Sequence, residues 1–185
     1  MKITFIRHTA VDVETGTCYG QTNVDLKATF PQEAQAVKDK IDGEKFDRIY
    51  CSPLSRCRRL AAACGYPEPI VDDRLLELNF GQWEMKKFDE ITDPQLQIWY
   101  DDFFNAVPTG GESAAMQQAR VKSFIEEMKS SGLSNVCVFT HGGVILQVML
   151  ITGMCTLENL FDHQPPYGGI LTVDFTSTAA TQAPI

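Results

Sequence analysis

The sequence lacks the features that mark several large classes of protein. None of its hydrophobic runs reaches the roughly 20 residues that a membrane-spanning helix needs. Its 16 lysines and arginines are outnumbered by 24 aspartates and glutamates, so the net charge is -8 over 185 residues and the average field repels nucleic acid. It has no basic stripe and no zinc-finger spacing. We therefore expect neither a membrane nor a nucleic-acid partner.

The cysteines lack the paired spacing of zinc sites, and several lie in apolar surroundings. We interpret them as buried free thiols in a reducing compartment. The start of the sequence also lacks the cleavage site of a signal peptide, so the expected location is the cytoplasm. The six cysteines are Cys18, Cys51, Cys57, Cys64, Cys137 and Cys155.

Several catalytic motifs are missing as well. There is no Gly-Lys-Ser/Thr phosphate loop and no His-Glu-x-x-His zinc motif. Arg56 follows Cys51 at one residue less than the spacing of cysteine-dependent phosphatases, and Asp12-Val13-Glu14 ends in the wrong acid for an aspartyl phosphatase. These absences favour a metal-free histidine enzyme without a cofactor.

The sequence does contain two apolar, β-prone runs that each end in a histidine. Lys2–Ile6 is followed by Arg7-His8, and Val136–Thr140 is followed by His141-Gly142-Gly143, in a chain with only 3 histidines. Carboxyl ends of parallel strands share one edge of a sheet, where open α/β sheets bind their ligands. We therefore expect His8 and His141 to lie close together.

The order of the remaining segments predicts the fold class. Strand-like runs alternate with helical patterns, which indicates an α/β protein: a three-layer αβα arrangement with a largely parallel sheet. We predict a single domain over residues 1–185, with a small aromatic-rich insertion at about 79–111 over the sheet edge. The tail at 176–185 is expected to be poorly ordered. The sequence carries no signal for an oligomeric state.

A third predicted strand exit adds a second arginine to this edge. The turn Ser52-Pro53-Leu54-Ser55-Arg56 follows a predicted strand, and it places Arg56 in the first turn of a helix, where backbone N–H groups favour an anion. Guanidinium groups match phosphate oxygens bidentately. Arg7, Arg56, His8 and His141 together predict a pocket for a tetrahedral oxyanion.

At this point the motifs resemble those of the histidine phosphatase superfamily, whose fold is called phosphoglycerate mutase-like. Besides the strand-end motifs, Glu77–Glu84 is similar to its acid-bearing segment and Gly110-Gly111-Glu112-Ser113 to its usual helix start. The resemblance implies hydrolysis of a small phosphorylated metabolite through a phosphohistidine on His8, without a metal. It also implies that Arg7, Arg56 and His141 bind the phosphate, and that Glu77 gives and then takes a proton.

Within the superfamily, Cys18-Tyr19-Gly20-Gln21 and Gly81–Met85 are similar to the alpha-ribazole phosphatase branch, which acts in cobalamin nucleotide-loop assembly. Thr9 replaces the usual glycine, a change which that branch tolerates. Glu14 replaces a common asparagine, so we expect Gln21 or a loop amide to contact the phosphate instead.

Four alternatives stay open at this stage. The chain is expected to be an alpha-ribazole 5'-phosphate phosphatase, but a phosphoglycerate mutase-like enzyme or a broad sugar-phosphate phosphatase shares most of these motifs. A non-catalytic module that binds phosphorylated ligands or phosphohistidine proteins is a further possibility. Glu84 is a second candidate acid, and His163 lies in a loop that is able to rim the pocket.

Overall fold

The computed structural model describes residues 1–175. Five strands of this part of the chain form one sheet in the order β3-β2-β4-β1-β5. They are β1 (Lys2–Arg7), β2 (Arg48–Cys51), β3 (Ile70–Val71), β4 (Asn135–Thr140) and β5 (Ile170–Asp174). All neighbouring strands are parallel except β5, which is antiparallel to β1. The predicted tail at 176–185 lies outside the described residues.

Helices cover both faces of the sheet, as a three-layer αβα arrangement requires. The α-helices are α1 (Phe30–Lys40), α2 (Ser55–Ala63), α3 (Gln95–Asp101), α4 (Ala114–Ser130) and α5 (Gly142–Ile151). Short 3-10 helices lie at Asp73–Leu75, Gly81–Trp83, Phe88–Glu90 and Leu157–His163. The predicted fold class is confirmed.

Alternation along the central strands divides the core between the two faces. In β1, Ile3 and Phe5 pack with α4 and α5, where Phe124 and Val144 are fully buried. Ile6 points to the other face and packs with α1 and α2. Because β1 and β4 are buried on both sides, their interior positions are mostly apolar, as is typical of strands in parallel sheets.

The predicted insertion at 79–111 folds into α3 and two 3-10 helices with a small core of their own. Trp83 is buried there with Cys18 and Ile91, and further aromatic side chains pack around them. The α-helix of this segment, α3, ends at Asp101. The next residue, Asp102, accepts hydrogen bonds from the backbone and side chain of Asn105 and turns the chain.

Two further expectations concern the whole chain. All six cysteines are free and buried, as predicted. Among residues 1–175, no helix has both the length and the apolar character to cross a membrane. The cytoplasmic location and the domain layout stay predictions.

Candidate active site

Three strand exits converge at the carboxyl edge of the sheet. Arg7 pairs with Thr140 at the ends of β1 and β4, and the next residues along the two strands are His8 and His141. The imidazole ring centroids of the two histidines are 5.3 Å apart. Beyond β2, the backbone N–H of Ser52 donates to the carbonyl of Phe139 in β4, which anchors the turn into α2. The two histidines therefore lie close together, as predicted.

His8 is buried with one ring nitrogen committed. Its Nδ1 lies 2.8 Å from the backbone carbonyl oxygen of Thr9. A carbonyl only accepts, so Nδ1 carries the hydrogen and Nε2 keeps a free lone pair. Burial first and the positive charge of Arg56 second lower the pKa of His8 to about 3. The Thr9 carbonyl opposes this, and the charge of Arg7 contributes a smaller lowering effect. His8 is therefore a neutral imidazole at physiological pH.

His141 is fully buried between β4 and α5. Its Nε2 lies 2.7 Å from the hydroxyl oxygen of Ser52 and 3.5 Å from the thiol sulfur of Cys57. Burial lowers its pKa well below the ordinary value, and the charge of Arg56 adds to this effect. The site thus contains two imidazoles that burial and, to a smaller extent, arginine charge keep neutral. The sequence analysis did not predict the contact between His141 and Ser52, because a serine in a Ser-Pro turn normally indicates only the start of a helix.

Arg7 borders the cavity next to His8. Its Nη1 donates to the carbonyl of Pro165, and its Cζ lies 4.2 Å from the ring centroid of Tyr167. Gly142 allows this placement, since a Cβ on that residue would come within 3.2 Å of the Arg7 guanidinium. The Nε of Arg7 is buried and has no hydrogen-bond partner among residues 1–175.

Arg56 is fully buried and engages the loop between β1 and α1. Its Nη1 and Nη2 donate to the carbonyls of Thr22 and Gly20, at 3.0 and 2.5 Å. Within the described part of the chain, its Nε has no partner either. Arg56 does not line the cavity, so in this conformation it acts on His8 and His141 through its charge. Its direct contact with phosphate stays a prediction.

Glu77 lines the cavity and is held by three N–H donors. The backbone N–H of Gly143 donates to Oε2 at 3.0 Å, while that of Leu78 donates to Oε1 at 2.9 Å. The side-chain amide of Gln117 in α4 also donates to Oε1, at 3.1 Å. Gly143 permits the approach, because a Cβ there would lie 2.2 Å from Oε1. Gln117 was missed by the sequence analysis, although a glutamine one turn before Val121 on the buried face of α4 is a usable signal.

Gln21 does not line the cavity, and its side chain has other partners. Its amide donates to the backbone carbonyl of Glu77 at 3.0 Å and lies 3.4 Å from a carboxylate oxygen of Glu112. Arg120 donates to the same carbonyl and the same carboxylate. The phosphate contact of Gln21 stays a prediction, and the structure gives its amide a role in holding the segment that bears Glu77.

Glu84, the second candidate acid, ties two loops together. Its carboxylate accepts backbone N–H groups from Gln21, Thr22 and Phe80. Burial by itself would raise the pKa of Glu84, but the hydrogen bonds outweigh it and hold the pKa below the ordinary value. Glu84 does not line the cavity, and its lowered pKa keeps the carboxylate ionised, so it suits an anchoring role rather than proton donation.

Glu14 and His163 lie outside the cavity lining. The carboxylate of Glu14 is 72% exposed and pairs with Lys87 at 2.6 Å. His163 is exposed at the end of its 3-10 helix. Neither side chain reaches the histidines, so the acidic replacement at position 14 places no negative charge against a bound anion.

The cavity itself has a volume of about 280 Å³. Arg7, His8, Glu77 and Gly143 supply its reactive part, and much of the remaining wall is aromatic. Among residues 1–175, no group of three or more His, Cys, Asp or Glu side chains is arranged to hold a metal ion. The aromatic lining residues are Tyr19, Phe80, Phe88, Trp99, Phe103 and Phe161.

A family model described as histidine phosphatase superfamily (branch 1) matches residues 3–182. The chain belongs to the histidine phosphatase superfamily. This membership confirms the resemblance drawn from the strand-end motifs, and with the phosphatase names of its relatives it makes the protein a phosphatase.

The relatives of this histidine phosphatase carry several kinds of name, among them alpha-ribazole phosphatase, phosphoserine phosphatase and phosphoglycerate mutase. An adenosylcobalamin/alpha-ribazole phosphatase of Escherichia coli (strain K12) is 28% identical over 191 residues, covering 98% of this chain and 93% of its own. A Hydrogenobacter thermophilus protein named for phosphoserine phosphatase activity is 29% identical over 189 residues, covering 97% and 92%.

Solved structures share its fold. The alpha-ribazole phosphatase from Shigella flexneri matches with a TM-score of 0.84 and 24% identity, over 94% of this chain and 90% of that one. The phosphoglycerate mutase-like architecture predicted for this histidine phosphatase is therefore confirmed.

Proposed function

We propose that this phosphatase hydrolyses phosphate monoesters through a phosphohistidine on His8. The observation that carries the proposal is the neutral His8 imidazole, whose Nδ1 is fixed by the Thr9 carbonyl while Nε2 keeps its lone pair beside two arginines. A positioned, uncharged nucleophile surrounded by positive charge is what phosphoryl transfer needs.

The reaction divides into two balanced steps. In the first, Nε2 of His8 bonds to phosphorus, the ester P–O bond breaks, and the leaving alkoxide takes a proton from Glu77. In the second, Glu77 takes a proton from water, the resulting hydroxide bonds to phosphorus, and the P–N bond breaks to restore neutral His8. Glu77 serves both steps from one place, since its carboxylate is held by Gly143, Leu78 and Gln117.

Arg7, Arg56 and His141 are the proposed phosphate ligands. Arg7 lines the cavity and has an unpaired Nε–H, so it is able to donate to a phosphate oxygen without losing its other contacts. Arg56 does not line the cavity in this conformation, so its contact with a phosphate requires the guanidinium to move from its place at the carbonyls of Gly20 and Thr22. Both charges oppose the negative charge that is redistributed during transfer.

The preferred substrate is alpha-ribazole 5'-phosphate, an intermediate of cobalamin nucleotide-loop assembly. Arg7 is the one cationic side chain among the described cavity-lining residues, and the distant wall is aromatic. Phosphoserine and phosphoglycerates carry a carboxylate that would need a second cation, whereas alpha-ribazole presents an uncharged aromatic base. The relatives named for adenosylcobalamin and alpha-ribazole support this choice.

Phosphoserine hydrolysis is the second candidate, because a relative 29% identical to this chain is named for that activity. A phosphate-release assay compares alpha-ribazole 5'-phosphate, phosphoserine, 3-phosphoglycerate and sugar phosphates, with a bisphosphate primer added in parallel to detect mutase turnover. We expect the highest kcat/KM for alpha-ribazole 5'-phosphate and no isomerisation.

The His8→Asn variant tests the nucleophile in the same assay. Asparagine keeps a donor for the Thr9 carbonyl but is no nucleophile toward phosphorus, so activity should fall roughly a thousandfold or more. The exposed His163→Asn is the matched control and should retain activity. Full activity in His8→Asn would refute the phosphohistidine, and a higher kcat/KM for phosphoserine would refute the substrate assignment alone.

A further inference from the structure

A groove with aromatic walls lies beside the active-site cavity. Phe88, Trp99, Phe103 and Phe161 line the cavity at His8, and the same four residues line a second cavity of about 350 Å³. Tyr100 completes the lining of this second cavity, which we call the aromatic groove. The two cavities share four wall residues and are therefore immediate neighbours.

Four of the groove's rings form two of its close pairs, and the rings come from two separate segments of the chain. Phe88 and Trp99 are stacked, with centroids 6.2 Å apart and planes at 21°. Phe103 and Phe161 are tilted by 53° at 5.0 Å. The first pair belongs to the segment at 79–111, whereas Phe161 lies in the 3-10 helix Leu157–His163. Flat aromatic faces at these spacings favour the binding of another planar ring.

Much of this aromatic surface is uncovered. Phe161 is 60% exposed and Tyr100 is 54% exposed, although both neighbour buried or half-buried rings. Large aromatic side chains that remain open along a cleft leading to reactive groups are typical of a ligand site. A surface of this kind gains most from an apolar group that excludes water from it.

Among the described residues that line the two cavities, charged side chains occur only in the active-site cavity. Arg7, His8 and Glu77 line the inner cavity, whereas none of the five groove residues carries a charge. An ester whose phosphorus lies at His8 therefore extends its leaving group into uncharged, aromatic surroundings. A carboxylate or a second phosphate there would be desolvated without a partner.

We propose that the aromatic groove binds a planar, uncharged, fused-ring part of the leaving alcohol and sets substrate preference through that part rather than through a sugar. The proposal rests on the phosphatase function assigned above and adds its specificity determinants. Sugar-free esters of ring-bearing alcohols are then substrates in their own right.

Three esters of primary alcohols test this specificity: 2-naphthylmethyl, benzyl and ethyl phosphate. Each has an alkoxide leaving group, so they differ mainly in the aromatic group of the alcohol: a fused ring pair, a single ring and none. We expect kcat/KM to fall in that order. Phe161→Ala and Trp99→Ala should each reduce the naphthylmethyl-to-ethyl preference about tenfold, the range of ring-on-aromatic stacking.

Matched controls come from the same helices. Leu157→Ala removes an exposed side chain from the 3-10 helix of Phe161, and Ile98→Ala does so beside Trp99 in α3, yet neither residue lines the groove. Both controls should keep the wild-type preference. Phe161, being mostly exposed, is replaced with little risk to folding, so the test does not depend on the Trp99 variant.

Calorimetric binding to His8→Asn separates this proposal from the proposed function. If the wild type hydrolyses none of the three esters, the phosphatase mechanism fails. The groove assignment still stands if naphthylmethyl phosphate binds at least about tenfold more tightly than ethyl phosphate and Phe161→Ala removes that difference. Equal binding of the two esters, or an equal loss of activity on all three in both groove variants, overturns the groove assignment.

Discussion

Acid should destabilise this phosphatase through His8. The pKa of His8 is lowered from 6.5 to about 3, first by burial and then by the charge of Arg56. Between these two pH values the unfolded chain binds a proton at this imidazole that the folded protein does not bind. The free energy of unfolding is therefore highest, as far as His8 is concerned, above pH 6.5, and it decreases as the pH falls toward 3.

The size of the effect follows from linkage. One pKa unit corresponds to about 1.4 kcal/mol, so lowering the pH from 7 to 5 should remove about 2 kcal/mol at His8 alone. Because the pKa of His141 is also lowered by burial and by Arg56, its loss has the same sign and adds to the total. A change of this size is readily measured in a protein of ordinary stability.

Urea unfolding of the wild type and of His8→Asn, each at pH 7 and pH 5, isolates the His8 contribution. Asparagine does not titrate, and its amide is able to donate to the Thr9 carbonyl as Nδ1 does. The wild type should lose about 2 kcal/mol more than the variant between the two pH values. Equal losses in the two proteins would show that burial and Arg56 do not hold His8 neutral, and would refute the reasoning.

Three further predictions concern the position of Glu77, the ion pair of Glu112 and the absence of a metal requirement. Gly143→Ala places a Cβ 2.2 Å from Oε1 of Glu77, so kcat should fall about a hundredfold by displacement of the carboxylate, with folding retained by circular dichroism. Arg120→Met leaves Glu112, which is 14% exposed, without its ion-pair partner. Urea unfolding should then show a loss of about 3 kcal/mol, against less than about 1 kcal/mol for Lys129→Met in an exposed pair. EDTA should leave phosphate release unchanged; inhibition that added metal reverses would contradict a metal-free mechanism.

Residues that directly follow a strand were predictable from the sequence. Arg7, His8 and His141 stand at the ends of apolar runs, and Arg56 lies just beyond a third such run. A parallel sheet brings all of these ends to one edge, so the topology alone is sufficient to gather them. Their proximity needs no knowledge of side-chain packing.

Residues that depend on packing between distant segments were not predictable in the same way. Gln117 contacts Glu77 only because α4 packs beside the segment before the 3-10 helix Gly81–Trp83, 40 residues away in sequence. Gln21 or a loop amide was expected at the phosphate because Glu14 replaces the usual asparagine, and that contact stays a prediction. What the sequence did not indicate is that the loop path directs the Gln21 amide to the Glu77 carbonyl, because no local pattern encodes that path.

The capture of Arg56 by the carbonyls of Gly20 and Thr22 has a consequence for the release of phosphate. Two acceptors on the same chain stay beside the guanidinium at a constant effective concentration, however dilute the substrate is. If Arg56 binds phosphate as proposed, they compete with each phosphate that approaches and replace each one that departs. Leaving all of the donors of a buried arginine unpaired would be costly. Under the proposed mechanism, the loop would therefore weaken the hold on inorganic phosphate and favour turnover over product inhibition.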